Sequence, residues 1–510
     1  MPTAATLSDA TTAGGFLLVL AVALPFLGVL LSLALGGRHA ERVALIYMPV
    51  GLGVAVAIAA GVARSGNALV YLLGGWSPPL GIALRADGPS AVMLPTTAVV
   101  LCAAGLFGRA DFRQPRGARE QRAPLMFWTL LLAVWGALNA VFLGTDLFNL
   151  YVALELLTFA AVPLVCLTGR AETLAAALRY LIFALLGSVL YLLGVVLLYG
   201  GYGTIDIGLL SSRVQPEPVA WIAAALMTVG LMAKTALFPL HLWLPPAHAG
   251  APPAASAVLS ALVVKGSFFL IVRVWFDVMP GPVPVAAAQI LGALGASAIV
   301  FGSVLALRQA RLKLMIAYST VAQIGYLFFV FPLALAPEAA QAFQGLAWTG
   351  GWMQLVSHSF AKAAMFMAAG LIAEAAGHDR IDGLGGVGRA LPISVFAFGL
   401  GGLSLMGVPP SGGFVAKCLL LTAAVQTGQW WWAVVMLAGG LLAGTYVFRT
   451  LGRLWGAAGE SIELRTRVSR GREGVALALA LVAVSLGFVS LRPEPLLEIG
   501  RAHTTVSAAR

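Results

Sequence analysis

Long apolar stretches separated by short polar loops run along almost the whole chain. Measured against the roughly 20 residues that an α-helix needs to cross a bilayer, they predict about fourteen spanning helices. These stretches lie near residues 14–35, 44–63, 89–108, 124–144, 148–168, 175–200, 219–239, 255–276, 284–306, 314–334, 344–373, 392–422, 431–452 and 474–491. The pattern therefore predicts an all-α polytopic membrane protein. Its first stretch lacks a basic start and is expected to be a retained helix.

The composition excludes a soluble globular protein. Hydrophobic residues make up 60% of the 510 residues, charged residues only 10%, and the mean hydropathy is +0.94, whereas ordinary domains contain about 25% charged residues. The three cysteines lie far apart inside apolar stretches, which favours neither a disulfide framework nor a thiolate metal site. Motifs for iron–sulfur clusters or dinucleotides are also absent from the sequence. We therefore expect no metal and no cofactor in this chain, and no independent enzyme.

The net charge of +11 is better explained by membrane orientation than by nucleic-acid binding. Loops on one predicted side of the membrane carry twenty lysines and arginines, and the loops and termini on the other side carry six. Because basic loops stay in the cytoplasm, both termini are expected on the non-cytoplasmic side of a cell membrane. On that side, residues 64–90 contain Gly and Pro pairs that predict a small hairpin or loop.

Five basic residues fall inside apolar stretches: Lys234, Lys265, Arg273, Lys362 and Lys417. A charge at mid-bilayer costs about 2.5–3.5 kcal/mol on insertion scales, so such residues are expected to face protein or water. Arg273 is two turns beyond Lys265 and is expected to reach the interface by snorkelling. The four lysines are therefore predicted to line a hydrated internal path.

Three more polar residues extend this set. Glu155 stands in the middle of the fifth apolar stretch. His358 precedes Lys362 by four residues, so the two side chains project from one helical face and could pass a proton. His248 lies at the end of a proline-rich loop. There it could pass protons between Lys234 and Lys265 or connect them to the cytoplasm. For all three, an ion pair or hydrogen bond that only fixes helix packing is the alternative.

Proline interrupts two of the apolar stretches. Pro239 follows Lys234, whereas Pro409 and Pro410 precede Lys417. A proline removes a backbone hydrogen bond, and broken membrane helices are tolerated only where protein or a water-filled cavity satisfies the backbone. Broken helices at matching places in two halves predict an internal repeat. The predicted segments are 1–123 (helices one to three), 124–276 (first repeat), 277–452 (second repeat) and 453–510 (a cytoplasmic loop and the last helix).

These motifs together resemble the antiporter-like subunits of respiratory complex I, membrane-bound hydrogenases and Mrp-type cation/proton antiporters, most closely the Mrp D subunit. The matching segments are DLFNLYVALE with Glu155, KTALFPLHLWLPPAHAGAPP with Lys234, LVVK with Lys265, HSFAKAAMF with Lys362, and PPSGGFVAKCLL with Lys417. The resemblance implies two inverted five-helix repeats. It also implies that Glu155 and Lys234 form a gating pair and that Lys265 relays protons. Lys417 is then expected to connect to the non-cytoplasmic side.

The resemblance implies a proton-translocating subunit of a multisubunit Na⁺/H⁺ antiporter, assembled with other membrane subunits in the bilayer. A proton-pumping subunit of a complex I-like or hydrogenase-type redox complex is the alternative, and a membrane scaffold with purely structural charges is a third. Nucleic acid is not an expected partner. A sodium site would need several oxygen ligands, and the candidates for deep carboxylates are Glu155, Asp146 and Glu374.

Overall fold

A computed structural model describes residues 11–114, 121–279, 281, 284–335, 341–456, 464–488 and 494–501. Within this part of the chain the protein is nearly all helical, as predicted, and twelve helices are long and apolar enough to cross a membrane. The predicted count of fourteen spans, the two repeats and the four segments stay predictions. Of the loop charges counted above, Arg116, Arg119, Arg492 and Arg510 lie outside the described residues.

The first half of the chain runs from the N-terminal helices to the first broken helix. Its elements are α1 (Phe16–Leu35), α2 (Gly37–Ser65), β1 (Leu69–Leu72), β2 (Ala83–Ala86), α3 (Gly88–Gly108), α4 (Arg122–Leu143), α5 (Leu147–Val165), α6 (Ala171–Tyr202), α7 (Ile207–Arg213), α8 (Pro218–Thr235), α9 (Leu244–Gly250) and α10 (Pro253–Val278).

The second half contains the second broken helix and the C-terminal segment. Its elements are α11 (Val285–Arg308), α12 (Leu312–Ala334), α13 (Gln341–Ala376), α14 (Val387–Ala390), α15 (Pro392–Met406), α16 (Gly412–Gln426), α17 (Trp430–Trp455), α18 (Arg470–Ser485) and α19 (Glu494–Leu497). In α10 and α13, every residue of the most apolar window is buried inside the protein. These two helices therefore form the centre of the bundle.

Two helix boundaries differ from the sequence prediction. The stretch near 219–239 ends as a helix at Thr235, because Ala236 takes a left-handed conformation with φ 59° and turns the chain away from the helix axis. The stretch near 392–422 forms two short helices, α15 and α16, because Gly407 is also left-handed and prolines follow it. Apolar content alone does not record such interruptions.

We name the two ends of the bundle by the loops they carry. The basic face holds the connections at 109–114, 166–170, 309–311 and 377–391, with an isolated β-bridge between Arg311 and Arg380. The opposite hairpin face holds β1 and β2, which pair antiparallel in the register Leu69 with Ala86. The predicted small hairpin is therefore present.

The C-terminal segment completes the hairpin face. The amide of Gly88 donates to the carbonyl of Ile499 at 3.0 Å, the Arg85 guanidinium donates to the carbonyl of Gly500 at 2.6 Å, and the Trp348 indole donates to the carbonyl of Leu497 at 3.1 Å. Backbone carbonyls at the end of the chain thus join the hairpin, α3 and α13.

On the basic face, Arg472 joins three helices. Its guanidinium lies 2.7 Å from Glu374 at the end of α13 and 2.9 Å from Asp111 just after α3. It also lies over the ring of Phe107. Burial raises the pKa of Asp111, and the charge of Glu374 adds to this, while Arg472 opposes it. The cluster attaches α18 to the centre of the bundle.

Helices α6 and α8 cross at a pair of glycines. A methyl group built on Gly230 would lie well inside contact distance of the Gly187 carbonyl, and one built on Gly187 would meet the carbonyl of Gly230. Only residues without a side chain allow this approach. The crossing matters because Lys234 lies one turn beyond Gly230 and Ser188 follows Gly187.

We expect Gly230→Ala to destabilise the protein by about 1–3 kcal/mol, because the backbone of α6 must move to admit the methyl group. The measurement is the melting temperature of purified protein in detergent. Gly53→Ala is the matched control, since a methyl group there meets open space. Equal melting temperatures for the two variants would contradict the close crossing.

Candidate functional site

Glu155 and Lys234 form an ion pair between α5 and α8. The Lys234 Nζ atom lies 3.2 Å from Glu155 Oε1 and also donates to the hydroxyl of Thr158 at 2.8 Å. Glu155 accepts a second hydrogen bond from the Ser188 hydroxyl of α6. The lysine is 6% exposed and the glutamate 14% exposed, measured on the chain alone. Both charges are therefore compensated inside the bundle.

The end of α8 places Lys234 at a break in the backbone. Pro239 lies in the segment between α8 and α9, after a cis peptide bond from Phe238. The carbonyl of Ala233 in the last turn of α8 accepts from the Trp243 indole at 2.8 Å and from the amide of Ala236 at 3.3 Å. The neighbouring residue Thr235 is hydrogen bonded to Ser267 of α10 at 2.9 Å. This bond joins the end of α8 to α10 at the residue after Lys234.

Lys265 lies fully buried in α10, directly after a π-helical turn at Leu259–Val263. Its amine donates to the carbonyl of Ser260 within that turn. Such turns are frequent at functional sites because they alter the helical hydrogen-bond pattern locally. The Ser260 hydroxyl lies 2.9 Å from the hydroxyl of Thr320 in α12. Ser260 therefore contacts Lys265 through its carbonyl and α12 through its hydroxyl.

Lys362 on α13 is bound by the same region of α12. Its Nζ atom donates to the carbonyl of Ile316 at 2.9 Å and to the Ser319 hydroxyl at 2.5 Å. Thr320 also donates to the carbonyl of Ile316, at 3.0 Å. One carbonyl therefore joins the hydrogen bonds of Lys362 to those that lead to Lys265.

Lys417 follows the second break. Its amine donates to the carbonyls of Leu405 at 2.6 Å and Met406 at 3.3 Å, which are the last carbonyls of α15, and it lies over the ring of Tyr326. A helix C-terminus carries partial negative charge and favours a cation. Gln323 donates to the same Leu405 carbonyl at 3.1 Å. The break that contains Pro409 and Pro410 therefore supplies the acceptors for this lysine.

The two predicted histidines are buried among the lysines. Neither ring nitrogen of His248 or His358 has a hydrogen-bond partner in the described part of the chain. His248 stacks on Phe366, with ring centroids 4.5 Å apart. His358 shares α13 with Lys362 but makes no direct hydrogen bond to it. We call the four buried lysines, Lys234, Lys265, Lys362 and Lys417, the lysine row. Both histidines lie within electrostatic range of Lys265 and Lys362, so they flank the lysine row without a direct hydrogen bond to it.

Arg273 lies near the end of α10, and its side chain is 11% exposed. Its guanidinium pairs with Asp87 at the start of α3 and with Asp277, the latter at 2.6 Å, and covers the ring of Phe269. Its anchoring at the membrane interface stays a prediction, and the structure adds two carboxylate partners that the sequence did not indicate. Burial alone would raise the pKa of Asp87, but Arg273, with contributions from Arg85 and a backbone hydrogen bond from Ser90, holds it below the usual value of 3.8.

Two other carboxylates considered as deep groups lie at helix ends. Asp146 caps α5 by accepting from the amide of Asn149 at 2.8 Å, and burial raises its pKa despite that bond. Glu374 pairs with Arg472 on the basic face. Among the described residues, no group of three or more His, Cys, Asp or Glu side chains could hold a metal ion.

The arrangement combines one carboxylate with four amines. Lys234 pairs with Glu155, whereas the contacts found for Lys265, Lys362 and Lys417 are carbonyls, hydroxyls and an aromatic ring. Neutral acceptors bind an amine in either protonation state, so none of these three is fixed as a cation by a counter-charge. Interacting amines of this kind titrate as a coupled group. The arrangement is chemically suited to passing protons from helix to helix.

The sequence profile described as "NADH:quinone oxidoreductase/Mrp antiporter, TM" matches residues 144–443, from the start of α5 through most of α17. The chain belongs to this family. The predicted resemblance is therefore confirmed, and the matched region contains Glu155 and all four lysines.

Relatives of two kinds support the assignment. The N subunit of the NADH-quinone oxidoreductase of Desulforudis audaxviator is 35% identical over 401 residues, which cover 78% of this chain and 77% of the relative. The D-type subunit of the Na(+)/H(+) antiporter of Alkalihalophilus pseudofirmus is 30% identical over 431 residues, 84% of each chain. A chain in the structure of the Mrp complex from Dietzia sp. DQ12-45-1b superposes with a TM-score of 0.84 at 25% identity, covering 96% of both chains. This family member is thus a multi-pass membrane protein of the antiporter-like class.

The pairing of Asp87 with Arg273 predicts a pH-dependent stability. We expect Asp87→Asn to lower the free energy of unfolding by about 2 kcal/mol or more at neutral pH, because it removes one partner of a buried charge. Since the folded pKa of Asp87 lies below its usual 3.8, its contribution is present above that value and is lost as pH falls through the folded pKa. The difference between variant and wild type should therefore narrow below about pH 4.

Melting temperatures of the purified protein across a pH series check this expectation. Glu41→Gln is the control, because its partner Arg109 is half exposed and such pairs contribute about 0–1 kcal/mol. A difference for Asp87→Asn that stays constant down to pH 3 would contradict the assignment.

Proposed function

We propose that this chain is the proton-translocating subunit of a multisubunit Na⁺/H⁺ antiporter, and that protons move along Glu155, Lys234, Lys265, Lys362 and Lys417. The observation that carries the proposal is the series of polar contacts from α5 to α16. Within it, Thr235 follows Lys234 and is hydrogen bonded to Ser267 of α10. Ser260 and Thr320 lie between Lys265 and Lys362. Gln323 and the Leu405 carbonyl reach the last lysine.

The Glu155–Lys234 pair is the proposed gate. While the pair is closed at 3.2 Å, the charge of Lys234 is compensated. If Lys234 moves away from Glu155, both charges lose compensation inside a medium of low dielectric constant, which favours transfer of the lysine proton to another group. Thr235, the residue after Lys234, is hydrogen bonded to Ser267, which follows Lys265 by two positions in α10.

Coupling along the lysine row follows from their like charge. A proton added to one amine disfavours a charge on its neighbour, so protons are expected to move in sequence rather than to fill all sites. Within the described residues, the ring nitrogens of His248 and His358 have no hydrogen-bond partner, and both rings lie near Lys265 and Lys362. They are proposed to accept protons transiently or to hold water there.

Sodium is proposed as the coupled ion because a relative at 30% identity is named as part of a Na(+)/H(+) antiporter. Glu155 supplies one carboxylate, whereas a Na⁺ site needs several oxygen ligands. We therefore assign the cation path to partner membrane subunits. The Mrp complex in which a similar chain is found supports assembly with such subunits.

A redox-driven proton pump is the second candidate, favoured by the 35% identical N subunit of an NADH-quinone oxidoreductase. The same lysine row would then move protons, while partner subunits carry the electrons. The two candidates differ in the source of energy and not in the role of this chain's residues.

Replacement of the gate should abolish transport. We expect Lys234→Ala and Glu155→Ala each to reduce proton transport about 100-fold or more, since each removes a group that takes part in proton transfer. The measurement is dissipation of a pH gradient by added Na⁺, K⁺ or Li⁺ in inverted vesicles that contain the whole native complex. Arg109→Ala is the control, because it breaks an ion pair of the same type on the surface.

Each result of that assay has a defined meaning. Cation-triggered dissipation that is lost in both gate variants supports the antiporter. Acidification driven by a redox substrate, with no response to cations and loss in both variants, supports the redox pump. Gate variants that transport like Arg109→Ala would leave the buried charges with a structural role and would contradict both candidates.

The proposed location is a cell membrane with the basic face toward the cytoplasm. A cysteine introduced by His378→Cys, in an exposed loop of the basic face, is expected to react with a membrane-impermeant thiol reagent only from the cytoplasmic side. One introduced by Asn67→Cys, in an exposed turn of the hairpin face, is expected to react only from the opposite side. The opposite labelling pattern would reverse the proposed orientation.

A further inference from the structure

A polar cavity of about 250 Å³ opens on the basic face, apart from the gate. It lies between the end of α11, the start of α12, the 381–382 loop and the last turns of α17. Its polar lining consists of Arg308, Gln309, Asp382, Tyr446, Arg449 and Thr450. A water molecule occupies roughly 30 Å³ in the liquid, so the cavity has room for several.

Tyr446 lies at the buried side of this cavity. The residue is 1% exposed, yet its hydroxyl has no hydrogen-bond partner in the part of the chain that the structure describes. Ser319 and Gln323 lie next to this hydroxyl and interact with it electrostatically, in a geometry looser than that of a hydrogen bond. A buried hydroxyl without a partner is costly, and water in the cavity is the available group to satisfy it.

The two neighbours of Tyr446, Ser319 and Gln323, contact residues of the lysine row or their acceptors. The Ser319 hydroxyl accepts a hydrogen bond from Lys362 at 2.5 Å. Gln323 donates to the Leu405 carbonyl, which is also the acceptor for Lys417. The tyrosine hydroxyl therefore lies next to residues that contact Lys362 and the carbonyl acceptor of Lys417, and Tyr446 also lines the cavity.

We propose that Tyr446 is a proton-relay residue through which water in this cavity exchanges protons with Lys362. When a proton moves from the cavity to Lys362, the tyrosine hydroxyl gives its proton to the Ser319 oxygen. At the same time it takes a proton from a hydronium ion in the cavity. Ser319 in turn gives its own proton to the neutral Lys362 amine. One O–H bond of hydronium is broken and one N–H bond is formed, so water and a lysine ammonium remain. Release follows the same steps in reverse.

The Ser319 hydroxyl must turn for this transfer. In the structure it donates to the carbonyl of Ile316 at 2.8 Å and accepts from Lys362, which is the arrangement for a protonated lysine. A neutral amine is an acceptor, and rotation about a single bond aims the serine proton at it. The relay rests on the proposed function, because it supplies a row of lysines that must carry protons.

Transport by Tyr446→Phe tests the relay. The variant keeps the ring and removes only the hydroxyl, so we expect about tenfold slower proton transport in vesicles that contain the whole complex. Tyr318→Phe is the matched control: its ring lines another cavity, of about 290 Å³, with Arg179 and His241. It is expected to transport like the wild type.

Chemical labelling tests the cavity without reference to transport. In a background with Cys102, Cys166 and Cys418 replaced by alanine, Thr450→Cys places a thiol in the cavity lining. Phe448→Cys places one at nearly the same depth of α17 on a side chain that is 59% exposed, on the outside of the bundle. A charged thiosulfonate reacts with a hydrated thiolate, so we expect the former to react about tenfold faster from the basic face.

The results separate the relay from the proposed function. Slow transport by Tyr446→Phe together with fast labelling of Thr450→Cys supports the relay. If Lys362→Ala abolishes transport while Tyr446→Phe equals Tyr318→Phe, the relay is wrong and the proposed function stands. If Lys362→Ala transports like the wild type, both are wrong. Labelling of Thr450→Cys no faster than that of Phe448→Cys would remove the water-filled cavity and with it the relay.

Discussion

The structure depends on one requirement: an amine placed in the membrane interior needs oxygen atoms around it. Intact α-helices use their carbonyls internally and offer few of them to a neighbour. For two of its four buried lysines, the protein supplies acceptors by interrupting the helical pattern. Lys265 uses a carbonyl in a π-helical turn, and Lys417 uses the last carbonyls before a proline break. Irregular backbone and buried charge therefore occur together for a physical reason.

The same requirement explains how far the sequence could predict the site. Charged residues in apolar stretches are conspicuous, so the sequence singles out Glu155 and the four lysines as candidates, and prolines lie at both interruptions of the helices. Their hydrogen-bond partners were not found. Serine and threonine are ordinary in membrane helices, and nothing in the local sequence singles out Ser260 or Thr320 as the pair that joins two lysines.

Long-range pairing limited the prediction of the fold in a similar way. The ion pair of Arg273 could not be predicted, because Asp87 lies 186 positions away in the sequence and meets the arginine only in the folded bundle. The glycine crossing of α6 and α8 is also invisible from composition, since the chain contains 59 glycines. Helix existence followed from hydropathy, whereas helix neighbours required the three-dimensional structure.

The C-terminal segment has a consequence for biogenesis. Its contact between Arg85 and Gly500 joins residues 415 positions apart, and the amide of Gly88 and the indole of Trp348 also depend on this segment. During synthesis these donors stay without their native acceptors until residues 497–500 have been made. The hairpin face therefore cannot be completed while the chain is shorter than this, even though most of its residues precede position 90.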